Sequence, residues 1–236
     1  MLEVLTDVAG YRGKHSFEVV LVINNYPDDR PPRALVEFER SCIRVVGVPM
    51  AWKSGEVVSF SARIPGARAA SSPRTIHFDA DCRIVDPSAL LDWYVEQFDR
   101  GAAAAYTRVG YYDLRPLWSV RARILVHHLA RWIKRVLLRI PTIRGSNYGI
   151  DRTLLLDLYE RGLLTDDLNV GPSVKAVGGR IAYSRARRLR VLTSGRRFRG
   201  GWRKLAHYLR YRLLYNIRVL PAGRGKRNPY HQKPVR

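Results

Sequence analysis

The stretch PGARAASSPRTIHFDADCRIVDPSALLDWYV, residues 65–95, decides the fold. Its middle, Arg74-Thr75-Ile76-His77-Phe78, is a short run with the β-branched and aromatic content of a strand. The run ends at Asp79-Ala80-Asp81, and Asp86-Pro87 opens the next element. Asp as N-cap with Pro at the first helical position starts a helix cleanly. Leu90, Leu91, Tyr94, Val95 and Phe98 form its apolar stripe, and Gly101 stops it. Upstream, Glu56 to Ala70 reads as a helix with Pro65 inside it. Helix, strand, paired carboxylates and helix make one unit of an α/β domain.

Outward from this unit the alternation continues. FEVVLVI (17–23) is a continuous apolar run, the pattern of a strand buried on both faces, and it ends in the turn formers Asn24 to Asp29. IRVVGV (43–48) is a second such strand, and AAAAYTRV (102–109) follows the capped helix as another. Ser119 to Ile140 reads as a long basic helix, and Asp151 to Arg161 as a short one ended by Gly162. After Asp166-Asp167 come a further short helix and the strands GRIAYS and RVLTS. Together these predict an α/β fold with a mainly parallel mixed sheet flanked by helices. Residues 1–200 make the main domain, 201–222 a basic amphipathic helix, and 223–236 a disordered basic tail.

Composition narrows the class. The chain has 236 residues with 46% hydrophobic content, enough for a real core. It contains no apolar run of about eighteen residues, so no spanning helix is expected, and its N-terminus lacks the pattern of a signal peptide. Two cysteines, Cys42 and Cys82, are too few for a disulfide framework or a zinc set, which fits a reducing cytoplasm. The net charge is +22, and from Leu168 onward there are 19 Lys and Arg with no acid. Leu114 to Ile150 holds eight more with no acid. Two basic stretches on a mildly acidic body argue for an anionic ligand or surface met on one side, or for a solvated basic face.

Two carboxylates one residue apart at a strand's C-terminal end stand where ligands bind in open α/β sheets. Such a pair suits a hard cation, Mg²⁺ or Mn²⁺, shared with diphosphate oxygens. Alone it is a weak signal, and the same residues serve equally as Asx-type turn formers. Cys82 beside them reads as a small buried filler. His127 and His128, mid-helix without acidic neighbours, read as surface or packing residues.

Further motifs follow in order: Gly145-Ser146-Asn147-Tyr148-Gly149, Asp166-Asp167, Gly178-Gly179-Arg180-Ile181, and Thr193-Ser194-Gly195-Arg196-Arg197. In this order, with the 65–95 unit, the chain resembles the family 2 glycosyltransferases of the GT-A fold over roughly residues 2–200. The resemblance implies transfer of a sugar from a nucleotide-diphospho-sugar donor to an acceptor hydroxyl, inverting and metal-dependent. It assigns the metal to Asp81 and Asp79, with Asp79 also toward the donor, and makes Asp167 the general base. Gly145, Ser146, Asn147 and Asp166 would shape the acceptor pocket, and Arg196 and Arg197 would either reach the donor diphosphate or belong to a generally basic surface.

The chain departs from the family pattern in two places. Met1 to Gly10 corresponds to the second half of the first helix, so the usual first strand would lie upstream of Met1. Ile23 stands where the family has an Asp toward the nucleotide base, leaving Asn24, Asn25 and Asp28 as the nearby polar candidates for the donor. A retaining transferase on the same fold, or a non-enzymatic protein binding nucleic acid or a membrane surface, are the alternatives. No nucleic-acid motif accompanies the charge. Residues 119–140 and 202–220 each join basic side chains to an apolar stripe, the pattern of helices lying in lipid headgroups. That favours peripheral attachment to the inner face of the cytoplasmic membrane and a lipid-linked or membrane-near acceptor, unless the stripes pack inward.

Overall fold

The computed structural model describes residues 2–24, 43–48, 58–115, 117–137, 140–164, 166–199 and 201–218. Helix α1 (Leu2–Ala9) precedes the parallel pair β1 (Val19–Asn24) and β2 (Ile43–Val48), and α2 (Val58–Ala69) follows. Then come β3 (Arg74–Phe78), β4 (Arg83–Ile84), α3 (Pro87–Asp99), β5 (Ala104–Thr107) and β6 (Val109–Tyr111). The second half holds α4 (Trp118–Val136), β7 (Asn147–Asp151), α5 (Arg152–Glu160), α6 (Val170–Ala176), β8 (Ile181–Ser184) and β9 (Val191–Thr193). It closes with α7 (Arg196–Arg199) and α8 (Gly201–Arg218).

The larger sheet has the order β3-β7-β5-β8. Strands β3, β5 and β8 run one way and β7 runs against them. Strand alternation divides β5 between two cores. Ala104 and Tyr106 face Ile64 and Ala67 of α2, Leu155 and Leu158 of α5, and Val170 and Val174 of α6. Ala105 faces Leu90, Tyr94 and Phe98 of α3. Helices thus cover both faces, which is why the central strands β5 and β7 are buried nearly throughout. The expected mixed α/β architecture with helix-flanked sheets is present.

The structure corrects several details. The 102–109 segment is two strands parting at Arg108, and β6 joins a three-stranded sheet of order β4-β9-β6. The Gly145–Gly149 motif, given no strand in the sequence, enters β7 at Asn147, the antiparallel strand between β3 and β5 that leads directly into α5. Gly149 is needed there because a Cβ would stand 2.9 Å from both the Tyr94 and Phe98 rings. Asp151 ends β7 and caps α5, its side chain accepting from Leu154 N at 2.9 Å. As predicted, Asp86 caps α3 through Ala89 N at 2.9 Å, and Gly101 takes a positive φ of 79°. Pro65 is accommodated inside α2.

Two contacts seat the N-terminal elements. Gly66 of α2 lies so close to β1 that a Cβ would be 2.7 Å from a methyl of Val22. Glu18, just before β1, accepts from Ser71 Oγ at 2.7 Å and Ser72 N at 2.9 Å, tying this pair of strands to the entry of β3.

Candidate active site

Register brings the first pieces together. Phe78, the last residue of β3, pairs with Asn147, the first of β7, so Asp79 and Ser146 emerge side by side at one sheet end. Ser146 O accepts from Cys82 Sγ at 3.2 Å, and Asp79 O accepts from Cys82 N at 3.0 Å, closing the turn that holds Asp79 and Asp81. Cys82 is fully buried, as its reading as a filler requires, and burial together with the charges of Asp79 and Asp81 pushes its thiol up to about 12.

At the centre stands a residue that sequence reading missed, Arg63 of α2. Its guanidinium is buried and donates from Nε to Asp167 Oδ1 at 2.7 Å and from NH2 to Asp79 Oδ1 at 2.8 Å. It also donates to the carbonyl of Gly145 and lies 5.3 Å from the centre of the Tyr148 ring. One side chain therefore joins the aspartate after β3, the segment before β7 and the aspartate before α6. Its charge is held well above the ordinary guanidinium range: burial works against it, and Asp167 first among its neighbours outweighs burial.

The three acidic residues differ in setting. The Asp167 side chain is 16% exposed and that of Asp79 41%. Crowding by protein on its inner side raises the Asp79 carboxyl above its usual range, Arg63 opposes this, and the charges of Asp167 and Asp81 add to it. The open edge moderates that push. Asp81 accepts from Thr193 Oγ1 at 3.1 Å, which joins the Thr193–Arg197 segment to the same cleft. That segment is fixed by Asp113, another residue unmarked in the sequence. Asp113 accepts from Ser194 Oγ at 2.6 Å, from the Gly195 amide and from Arg199 at 2.6 Å. Its carboxyl stays below the usual range because these hydrogen bonds and the Arg199 charge outweigh burial.

The other predicted residues take defined places. Gly145 is a cradle for the base candidate: a Cβ there would stand 2.7 Å from Asp167 Oδ2 and 2.9 Å from Asp167 Cγ. Ser146 holds the turn through its carbonyl. Asn147 is fully buried, its amide nitrogen donating to Thr107 Oγ1 at 2.6 Å and its oxygen accepting from Tyr94, so its side chain serves the core. Asp166, also buried, accepts from Leu168 N at 2.6 Å and Asn169 N at 3.2 Å and thereby forms the turn presenting Asp167. Arg196 is exposed at the start of α7. Asn24 ends β1, whereas Asn25, Asp28 and the side chains of Asn24 and Arg197 lie outside the described residues. His77, stacked 4.8 Å from Tyr148, stays neutral with a pKa pushed down to about 3 by burial and then Arg63.

Among the described residues no group of three or more His, Cys, Asp or Glu gathers as a metal set. Asp79 and Asp81 are hard oxygen donors, and their mutual repulsion with Asp167 is of the kind a cation relieves. The pair fits Mg²⁺ or Mn²⁺ only where further oxygens come from water or a diphosphate, which is the usual manner of these ions. His127 is buried against Phe198 at 5.4 Å and acts in packing.

No family model matches the chain, and no curated protein matches it. Among solved structures, it is similar to the crystal structure of S. aureus TarS 1–349, with 14% identity and a TM-score of 0.49 over 90% of this chain and 61% of that one. It is also similar to the crystal structure of a mycobacterial protein, with 16% identity and a TM-score of 0.39 over 84% of this chain and 63% of the other. The chain thus spans about three fifths of the length of either.

Proposed function

We propose that this chain transfers a sugar from a nucleotide-diphospho-sugar donor to an acceptor hydroxyl, with inversion at the anomeric carbon, on a GT-A-type scaffold. The observation that carries the reading is convergence. Four segments far apart in sequence meet through the Arg63 bridge and the Asp81–Thr193 hydrogen bond. They are four of the five segments in which the family resemblance resides. Asp167 accepts the acceptor's hydroxyl proton as that oxygen bonds to the anomeric carbon and the bond to the diphosphate breaks. Arg63 fixes the carboxylate's direction, and Gly145 leaves it room. Asp81 and Asp79 would hold a divalent cation, which would supply positive charge to offset the departing diphosphate. In this reading Arg196 and Arg197 would bind the same phosphates, and Asn24, Asn25 and Asp28 would serve the nucleoside.

The test separates the two roles. Asp81→Ala should abolish Mn²⁺-dependent binding of a nucleotide-diphospho-sugar in calorimetry. Asp167→Asn should bind the donor normally and lose about two to four orders of magnitude in transfer rate. Transfer by Asp167→Asn at the wild-type rate would remove the assigned base.

A further inference from the structure

Helix α4 is built inside out. Its 19 residues span about 28 Å. Trp118, Leu125, Leu129, Trp132 and Val136 lie on one face, and that face points to solvent: Trp118 is 82% exposed, Leu125 69% and Leu129 53%. The buried positions are Val120, Arg123, His127 and Lys134, roughly 170° away around the helix. Two of them meet α7 and α8: His127 packs on Phe198 and Tyr208, and Arg123 reaches the Trp202 ring at 6.0 Å. Helix α8, by contrast, turns Leu205 and Tyr208 into that small core. Among the described side chains of the two basic amphipathic stretches, the broad open apolar stripe is on the first.

We propose that α4 docks this protein on an anionic lipid surface, its Trp118–Val136 stripe entering the headgroup boundary. The neighbouring charge selects this occupant. Arg121, Arg131 and Arg135 line one edge of the stripe, and Leu114 to Ile150 contains no acidic residue. A second copy of the chain would bring the same arginine rows against each other on molecules of net charge +22, which opposes self-association. A lipid leaflet accepts both parts at once: apolar side chains and indoles enter, and guanidinium groups stay with phosphates. The proposal does not rest on the transferase reading and would stand if the protein transferred no sugar.

The experiment uses the full chain with phosphatidylcholine vesicles containing or lacking phosphatidylglycerol. The protein should float with anionic vesicles at low salt and less at high salt. Brominated lipid should quench its tryptophan fluorescence. In Trp118→Phe/Trp132→Phe, flotation should persist while most quenching disappears. Leu125→Glu/Leu129→Glu changes exposed positions, so its circular dichroism should match wild type while partitioning weakens by about tenfold or more. Equal binding to neutral and anionic vesicles, quenching undiminished in the double Phe variant, or flotation unaffected by the Glu pair would each overturn the proposal. So would a vesicle-free dimer, seen by sedimentation, that the Glu pair dissolves.

Discussion

Arg63 places a guanidinium between two carboxylates in a setting where it is only 7% exposed. Taking away one partner of such a buried pair costs about 3–5 kcal/mol, because the remaining charges lose both solvent and counter-ion. The open side of Asp79 shifts the expectation for Arg63→Met to the lower end of that range. Chemical denaturation at neutral pH measures it, and a variant as stable as wild type would show that the clamp does not support the fold. Arg63→Lys should retain more stability but little transfer, since an ammonium cannot present the fork that spans both carboxylates and the Gly145 carbonyl. Arg63 was illegible for a plain reason: it is one of 42 Lys and Arg, and Pro65 close by argues against a continuous helix. A signal was present nonetheless, since Arg63 is the lone charge between Val58 and Ala67, beside Ile64. Asp79 and Asp81 were legible because their chemistry is local, whereas Asp167 drew its role from resemblance.

At the scale of elements, β1 to β3 and α3 announced themselves through β-branched runs and a capped apolar stripe, signals carried within each segment. Strand β7 did not. Asn147, Gly149 and Asp151 are turn formers by propensity, and tertiary context overrides them: both neighbouring strands take its backbone hydrogen bonds, and α3 presses on Gly149. The Thr193–Arg197 segment was legible as a motif, but not what holds it. Asp113→Ala should leave the Gly195 amide and Ser194 hydroxyl without their acceptor. The expected loss is about 1–3 kcal/mol. Hydrogen exchange should quicken at Gly195 and Phe198, the latter amide donating to Gly195 O at 2.7 Å. Unchanged exchange there would mean that the strand and α7 fix the turn without Asp113.

Over the whole molecule, the position of the surplus charge was readable, but not which way α4 turns its stripe. Periodicity marks two faces without saying which meets a core. The charge also acts on the protein itself. His128, on α4, is held down to about 4 by burial and then by Arg144, Arg131 and Arg108. In the unfolded chain it titrates near its ordinary value of 6.5. Between these values the unfolded state binds the extra proton. Stability from this group is therefore fully present above about pH 6.5 and declines as pH falls toward 4. The urea midpoint should fall across that window in wild type and more gently in His128→Gln. Salt should raise the His128 midpoint seen by NMR, because it screens the arginines more than it alters burial. A midpoint near 6.5 at low salt would sink the argument, since the surrounding arginines could not then press on the ring.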